Sequence, residues 1–341
     1  MDAGKRTTAH FGRKWIRNFF KNLKLLNKTL VYRQSSLPVI VTGSGPGLEQ
    51  ALPIIAKIQE YCIIIAASSS VQALSLHGIK PDLTITTDGG NWALKHLHSY
   101  TRTPDLYVPV AVNLSASLLS QLKSYAFLII NDNSFWQNIV LHELGLPSVI
   151  IPQRGTVTAT ALDLALLLSN ANIYLAGMDF SNNDIRTHVK PYAFDNLFYG
   201  QANRLIPFYS VCFNRSFLLN EGGSMDIYSA WFKDKNISLA KRVYSLTDHK
   251  IFDTMIPQFD KSKKNTEEIF NIVKTNGNPD QFCQRGVNAL LSALKDKKYS
   301  EQLKQELKAL LPSDQSISKD IKNEIHDLET TIMEIALKGI L

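Results

Sequence analysis

The sequence predicts a doubly wound α/β protein with a mainly parallel sheet, preceded by an amphipathic basic helix and followed by a helical region. Three observations carry this expectation. From Leu37 to Gly177 short apolar runs alternate with helical patterns, which is the pattern of βαβ units. Residues 1–30 hold eight basic side chains and one acidic one, so the net charge of +7 sits there and the remainder of the chain sums to zero. The composition, 45% hydrophobic and 20% charged over 341 residues, is ordinary for a globular protein.

Several classes are set aside by the same reading. The longest apolar run, Tyr61 to Ala67, is seven residues, against about 20 for a bilayer-spanning helix. The basic N-terminus has no apolar core and no small-residue cleavage site, so a cytoplasmic protein is expected. Cys62, Cys212 and Cys283 are odd in number and widely spaced, which points to reduced thiols rather than a disulfide framework or a zinc knuckle. With its body neutral, the chain is not expected to bind nucleic acid.

The elements follow in order, within three segments: 1–34, 35–250 and 251–341. At 100° per residue Lys14, Arg17, Lys21, Lys24 and Lys28 share one face, while Phe11, Trp15, Phe19, Leu23, Leu26 and Leu30 gather on the other. Residues 11–30 thus read either as an interfacial anchor touching a membrane or acidic partner, or as a helix packed on the main domain. Strands are predicted near 38–43, 62–67, 83–87, 106–111, 126–130, 148–151 and 172–177, with helices near 47–60, 70–77, 91–99, 115–122, 134–144 and 156–169. The stretch 179–214 reads as a long polar and aromatic loop. Residues 215–236 look helical, 242–246 suit a last strand, and 265–341 reads as helices broken near 276–279 and 312–315.

In open parallel sheets ligands lie outside the carboxyl ends of the strands, so the strand-to-helix junctions are the candidate sites. Gly43-Ser44-Gly45-Pro46 presents glycine amides and a helix start where a phosphate would be favoured, with Pro46 in the first helical turn. Leu48 replaces the third glycine of a dinucleotide fingerprint and no P-loop lysine follows, which excludes both motifs. Ser68 and Ser69 add hydroxyls at the next junction. Asp88, before Gly89 and Gly90, suits a metal or a sugar hydroxyl, or a plain loop turn. Gly155, Thr156 and Thr158 open an apolar helix and form a second candidate anion site. Gly177 and Asp179 end the last strong strand, and His188 follows as a general base or as a solvated loop residue. His96 and His98, two apart, point to different helix faces and do not suit a metal.

Taken together, Gly43-Ser-Gly-Pro46, Leu76-His-Gly-Ile-Lys-Pro-Asp82 with Asp88, Gly155-Thr-Val-Thr158, and Leu175-Ala-Gly-Met-Asp179 with His188 resemble the Maf-type (motility-associated factor) flagellin glycosyltransferases and the MptE-like 6-hydroxymethylpterin pyrophosphokinases. The segment Gly155 to Phe180 is also similar to bacterial sialyltransferases that use CMP-activated sugars. The resemblance covers roughly 37–240. It implies a Rossmann-like transferase moving a nonulosonic acid from CMP to a serine or threonine of flagellin. It further implies Gly43, Ser44, Gly45 and Pro46 at the nucleotide, Asp88 in the same cleft, Gly155, Thr156 and Thr158 around phosphate and sugar, and Asp179 and His188 near the acceptor. No cofactor is required on this reading beyond the donor, with Mg²⁺ an option. The alternatives are an ATP- and Mg²⁺-dependent pterin pyrophosphokinase, with Asp88 and Asp179 as its carboxylates, and a non-catalytic binding protein on the same fold.

Overall fold

The computed structural model describes residues 3–102, 108–180, 185–220, 229, 232, 241–258, 263–312 and 321–337. The predicted αβ alternation is present. It runs β2 (Val39–Thr42), α2 (Leu48–Ile58), β3 (Ile63–Ala67), α3 (Val71–Leu76), β4 (Leu83–Thr86), α4 (Leu94–Arg102), β5 (Val110–Asn113), β6 (Phe127–Asn131), α5 (Phe135–Leu144), β7 (Ser148–Ile150), α6 (Val157–Leu168) and β8 (Ile173–Ala176). β2 to β6 and β8 are buried along their whole length. Continuous apolar strands of this kind need cover on both faces, which is the condition of a parallel sheet between helices.

The ten-stranded sheet has the order β10-β1-β6-β5-β4-β3-β2-β8-β9, with β7 pairing along β6. From β2 the chain steps outward through β3, β4 and β5 to β6, and α6 then carries it back to β8 on the other flank of β2. β2 therefore pairs in parallel with both β3 (Val39 opposite Ile63) and β8 (Val39 opposite Ile173). The strand order reverses between β2 and β8, and ligands of doubly wound sheets lie at such a point.

Strands from before and after the αβ repeat also join this sheet. α1 (Ala3–Leu23) is followed by β1 (Lys28–Tyr32), which pairs in parallel with β6 and antiparallel with β10 (Phe270–Lys274). β9 (Val243–Ser245) closes the other edge beside β8. α9 (Pro279–Lys295), α10 (Ser300–Leu310) and α11 (Ile321–Leu337) pack with α1 on one face of the sheet. The crossing of α1 with α10 is close at Gly12, where a Cβ would stand 2.1 Å from the Leu310 carbonyl oxygen.

Ile16, Phe19, Phe20 and Leu23 of α1 are fully buried, with Phe19 edge-on to Trp136 at 4.7 Å. At about 25 cal/mol per Å² each such side chain contributes roughly 1.5–3 kcal/mol. Most of the apolar face that a membrane anchor would insert is thus turned into the protein, with Phe11 and Trp15 half-buried. Among the described residues no helix is long and apolar enough to cross a membrane.

Several expectations are corrected. The basic helix ends at Leu23, and Lys28 to Tyr32 is a strand: Leu26, Lys28 and Leu30 prolong the helical spacing, but the run Thr29-Leu-Val-Tyr32 finds the β6 and β10 edges and pairs there. β5 lies at 110–113 rather than 106–111, and the predicted helix at 115–122 is only a short 3₁₀ turn at Ser120–Ser124. The stretch expected as a loop holds α7 (Asp195–Gln201) and α8 (Phe208–Asn220). The C-terminal region carries β10 where helix was expected and also breaks between Lys295 and Ser300.

Candidate functional site

The turn after β2 meets the turn after β8 at the reversal point. Gly43 N–H donates to the Ala176 carbonyl and Gly45 N–H to the Gly177 carbonyl, both at 2.8 Å. Gly47 N–H donates to the Asp179 carboxylate at 2.9 Å. The close approach requires glycine: a Cβ on Gly43 would lie 2.4 Å from the Gly177 oxygen, and one on Gly45 would lie 2.1 Å from the Asp179 carboxylate. Gly177 itself has φ +66, where a Cβ would be strained. The amides that the sequence offers to a phosphate are therefore bonded within the protein, and the Asp179 carboxylate takes the anion's place. Burial raises its pKa, opposed by the Gly47 amide. Pro46 stands in the turn before the helix, since α2 starts at Leu48 with Gly47 as N-cap. Beneath the turn, the Ser70 hydroxyl meets Thr42 Oγ1 at 2.8 Å, so Ser70 rather than Ser68 or Ser69 ties β3 to β2.

The start of α6 differs. Gly155 adopts φ +79, and Thr156 Oγ1 accepts the Ala159 N–H at 3.0 Å as N-cap. Thr158 Oγ1 would stand 3.2 Å from a Cβ on Gly43, so α6 begins against the β2 turn. On its other side opens a cavity of about 320 Å³, whose lining includes Asp88, Asn113, Asp132, Gln153, Gly155 and Thr156, with Phe11 and Trp15 closing it from α1. A Cβ on Gly89 would meet the Trp15 ring at 2.6 Å, which explains how closely the indole lies on that turn. Asp88 is exposed and accepts the Gly90 N–H at 2.7 Å. Asp132 accepts the Ser134 N–H (3.0 Å) and hydroxyl on Oδ1, and the side-chain amides of Gln137 (3.1 Å) and Gln153 (2.9 Å) on Oδ2.

His188 lies beside the β2 turn. Val189 N–H donates to the Ser44 carbonyl at 2.9 Å, while Glu49 of α2 pairs with Arg186 at 2.9 Å and accepts the Lys190 N–H at 3.1 Å. The half-buried imidazole stacks on Tyr192 at 4.0 Å, and its Nδ1 bonds Thr187 Oγ1 at 2.8 Å. Burial, with the charges of Arg215 and His96, holds its pKa down at about 3. His96 packs on Tyr192 and Phe194 and is held at about 4 by burial, whereas His98 is exposed. The charge of Asp88 raises the pKa of both His96 and Tyr192, against burial at the first and with it at the second.

The sequence-predicted residues thus form two adjoining groups. Gly43 to Pro46, Gly177, Asp179 and the backbone at His188 meet at the reversal point, and Asp88, Gly155 and Thr156 line the cavity, with Thr158 between them. Sequence reading missed Asn113, Ser115, Asp132 and the α1 wall. Asn113 was hidden by placing β5 too early, and the signal for Asp132 was the polar run Asn131-Asp-Asn-Ser134 at a strand end.

A parallel sheet with polar groups gathered across a strand-order reversal defines a Rossmann-like α/β protein. Within that class the chain belongs to the family described as 6-hydroxymethylpterin diphosphokinase MptE-like, whose model matches residues 13–184. The fold is similar to that of a Maf glycosyltransferase from Magnetospirillum magneticum AMB-1, with TM-score 0.50 at 12% identity over 97% of this chain and 54% of the other. The MptE-like resemblance of the sequence is thereby borne out, and the Maf glycosyltransferase shares the fold. Two uncharacterized proteins of Treponema pallidum (strain Nichols) are 29% identical over 227 residues and 26% identical over 217 residues. These matches cover 66% and 61% of this chain, which spans 48% and 38% of those relatives.

Proposed function

We propose that the protein is a glycosyltransferase moving a nonulosonic, sialic-acid-like sugar from a CMP donor to a serine or threonine hydroxyl of a protein, flagellin being the acceptor the Maf-type resemblance implies. The observation that carries this reading is His188, whose imidazole is held beside the β2 turn against which α6 also begins, with burial keeping its pKa down at about 3. In the tautomer whose Nδ1–H donates to Thr187 Oγ1, Nε2 keeps its lone pair for an incoming hydroxyl. In the proposed step the anomeric C–O bond to phosphate breaks and CMP leaves with the electron pair. The acceptor oxygen bonds to that carbon and its proton passes to His188. The N-terminus of α6 stabilises the departing phosphate with fixed donors. The low pKa keeps His188 unprotonated at neutral pH, and the anionic donor offsets the cost of the imidazolium once it forms. We assign the reaction to the cytoplasm.

The pyrophosphokinase reading is favoured by one observation, that Asp88 and Asp132 line one cavity. The fit to Mg²⁺ is poor. A carboxylate offers about four lone-pair sites, and Asp132 already accepts four hydrogen bonds. Asp179, the partner the sequence suggested for Asp88, is bonded into the β2 turn instead. Incubation with CMP-pseudaminate or CMP-legionaminate and flagellin, read by CMP release and acceptor mass, tests the proposal. Sugar-dependent mass gain is expected. Consumption of ATP with 6-hydroxymethylpterin, and no CMP release, would overturn it.

A further inference from the structure

The wall around His188 is built from rings. His188 stacks on Tyr192, Tyr192 lies 5.5 Å from Phe194, and Phe194 lies 6.4 Å from Phe198. Arg215 of α8 closes the row, its guanidinium carbon 4.3 Å from the Phe198 centroid. The Nε of Arg215 is buried and without a hydrogen-bond partner, and no ion pair among the described residues includes it. A guanidinium stays charged at any working pH and carries five donors in a fork shaped for a carboxylate or phosphate. Ring stacking satisfies its face but none of its N–H groups.

Two further cations are arranged in the same way. Lys95 Nζ lies 5.4 Å from the centroids of Trp92 and Phe194, and Lys190 Nζ lies 6.0 Å from Tyr199 and 5.5 Å from Phe208. Neither is in an ion pair among the described residues. The nearby Asp195 carboxylate is turned to the Tyr192 N–H at 2.9 Å. Among the described residues none of these three cations has an acid paired to it; Lys190 is exposed, while Lys95 and Arg215 are half-buried, and half-buried charge of one sign is stabilised where a ligand supplies the other.

We propose that Arg215 binds an oxyanion of the substrate at this wall, a sugar carboxylate or a nucleotide phosphate, and selects for an anionic donor. The choice of ligand rests on the glycosyltransferase reading; the site rests on the unpaired guanidinium. An oxyanion held there neutralises the charge that Arg215 directs at His188, so donor binding also prepares that imidazole to take a proton. His96, Tyr192 and Arg215 are the titratable or charged groups facing His188 from α4, its own segment and α8.

The test is calorimetric titration of the full chain with inorganic phosphate, CMP and N-acetylneuraminate, comparing wild type with Arg215→Gln and Arg215→Lys after checking each by thermal unfolding. Arg215→Gln is expected to weaken at least one probe by about 10- to 100-fold, the loss of a charge-assisted hydrogen-bond pair. Loss with CMP or phosphate assigns the phosphate, and loss with N-acetylneuraminate alone assigns the carboxylate. Should Arg215→Gln fail to fold, Arg215→Lys decides: a point charge replaces the fork and binding must fall measurably. Wild-type affinity for all probes in the folded variant, or no binding of any probe by wild type, overturns the proposal. Arg215-dependent binding without CMP-sugar turnover would refute the glycosyltransferase reading alone, and turnover with Arg215-independent binding would refute the anion site alone.

Discussion

The two glycine-led turns at the carboxyl end of the sheet look alike in sequence and do opposite things. In Gly43-Ser-Gly-Pro-Gly47 the glycines let β2 and β8 come together, and three amides are bonded to Ala176, Gly177 and Asp179. In Gly155-Thr-Val-Thr158 the left-handed glycine delivers a capped helix start to the rim of a cavity. The difference teaches that a glycine turn at a strand end is an anion site only if no carboxylate of the protein already fills it. Asp179 does so at the first turn, and the proposed donor lies across the second.

The largest expected effect breaks the first turn. Gly45→Val puts a branched side chain on the Asp179 carboxylate and close to the Gly177 backbone, so unfolding free energy in urea should fall by about 3 kcal/mol or more. A stable Gly45→Val that merely loses CMP binding would return this turn to the site. Next comes His188→Ala, which should lower turnover by about 10²–10⁴-fold while leaving CMP affinity nearly unchanged. Wild-type turnover would reduce His188 to a packing residue on Tyr192.

Thr156→Ala sharpens the role of the second turn. Loss of the cap to Ala159 costs about 1 kcal/mol of stability, and CMP binding should weaken with it; unaltered binding would detach the α6 start from the nucleotide. The pH dependence follows from the buried imidazoles. His188 and His96 titrate at about 3 and about 4 in the fold, below 6.5 for the unfolded chain, so in that window the unfolded state binds more protons. Their stabilising contribution is complete above 6.5 and is lost as the pH falls through those lower values. Tm should drop on acidification from neutral pH, and the drop should be shallower in a folded His96→Gln/His188→Gln variant. The smallest effect is Asp88→Asn. The exposed side chain keeps its acceptor for the Gly90 amide, so stability should move by no more than about 0.5 kcal/mol while turnover declines. A collapse in Tm would make Asp88 structural.

Most of the central sheet was legible because its strands are continuous apolar runs bounded by Gly, Ser, Asp and Pro, and the periodicity switches cleanly between them. What failed was decided far along the chain. Lys28 to Tyr32 carries helix spacing and strand propensity together, and only the β10 partner over 240 positions away by register, Lys28 opposite Lys274, settles it. In the site, strand ends located Gly43, Asp88, Gly155 and Gly177. That Asp179 reaches Gly47, that α1 brings Trp15 onto Gly89, and that Arg215 stacks on Phe198 depend on tertiary packing that local spacing does not encode.

The central claim, that the nucleotide lies across the start of α6 while the β2 turn is scaffold, is tested most directly by amide hydrogen exchange with saturating CMP. New protection is expected at Gly155 to Thr158, with little change at Gly43, Gly45 and Gly47, whose amides are already bonded. Protection gained at the β2 turn, with none at 155–158, would contradict it.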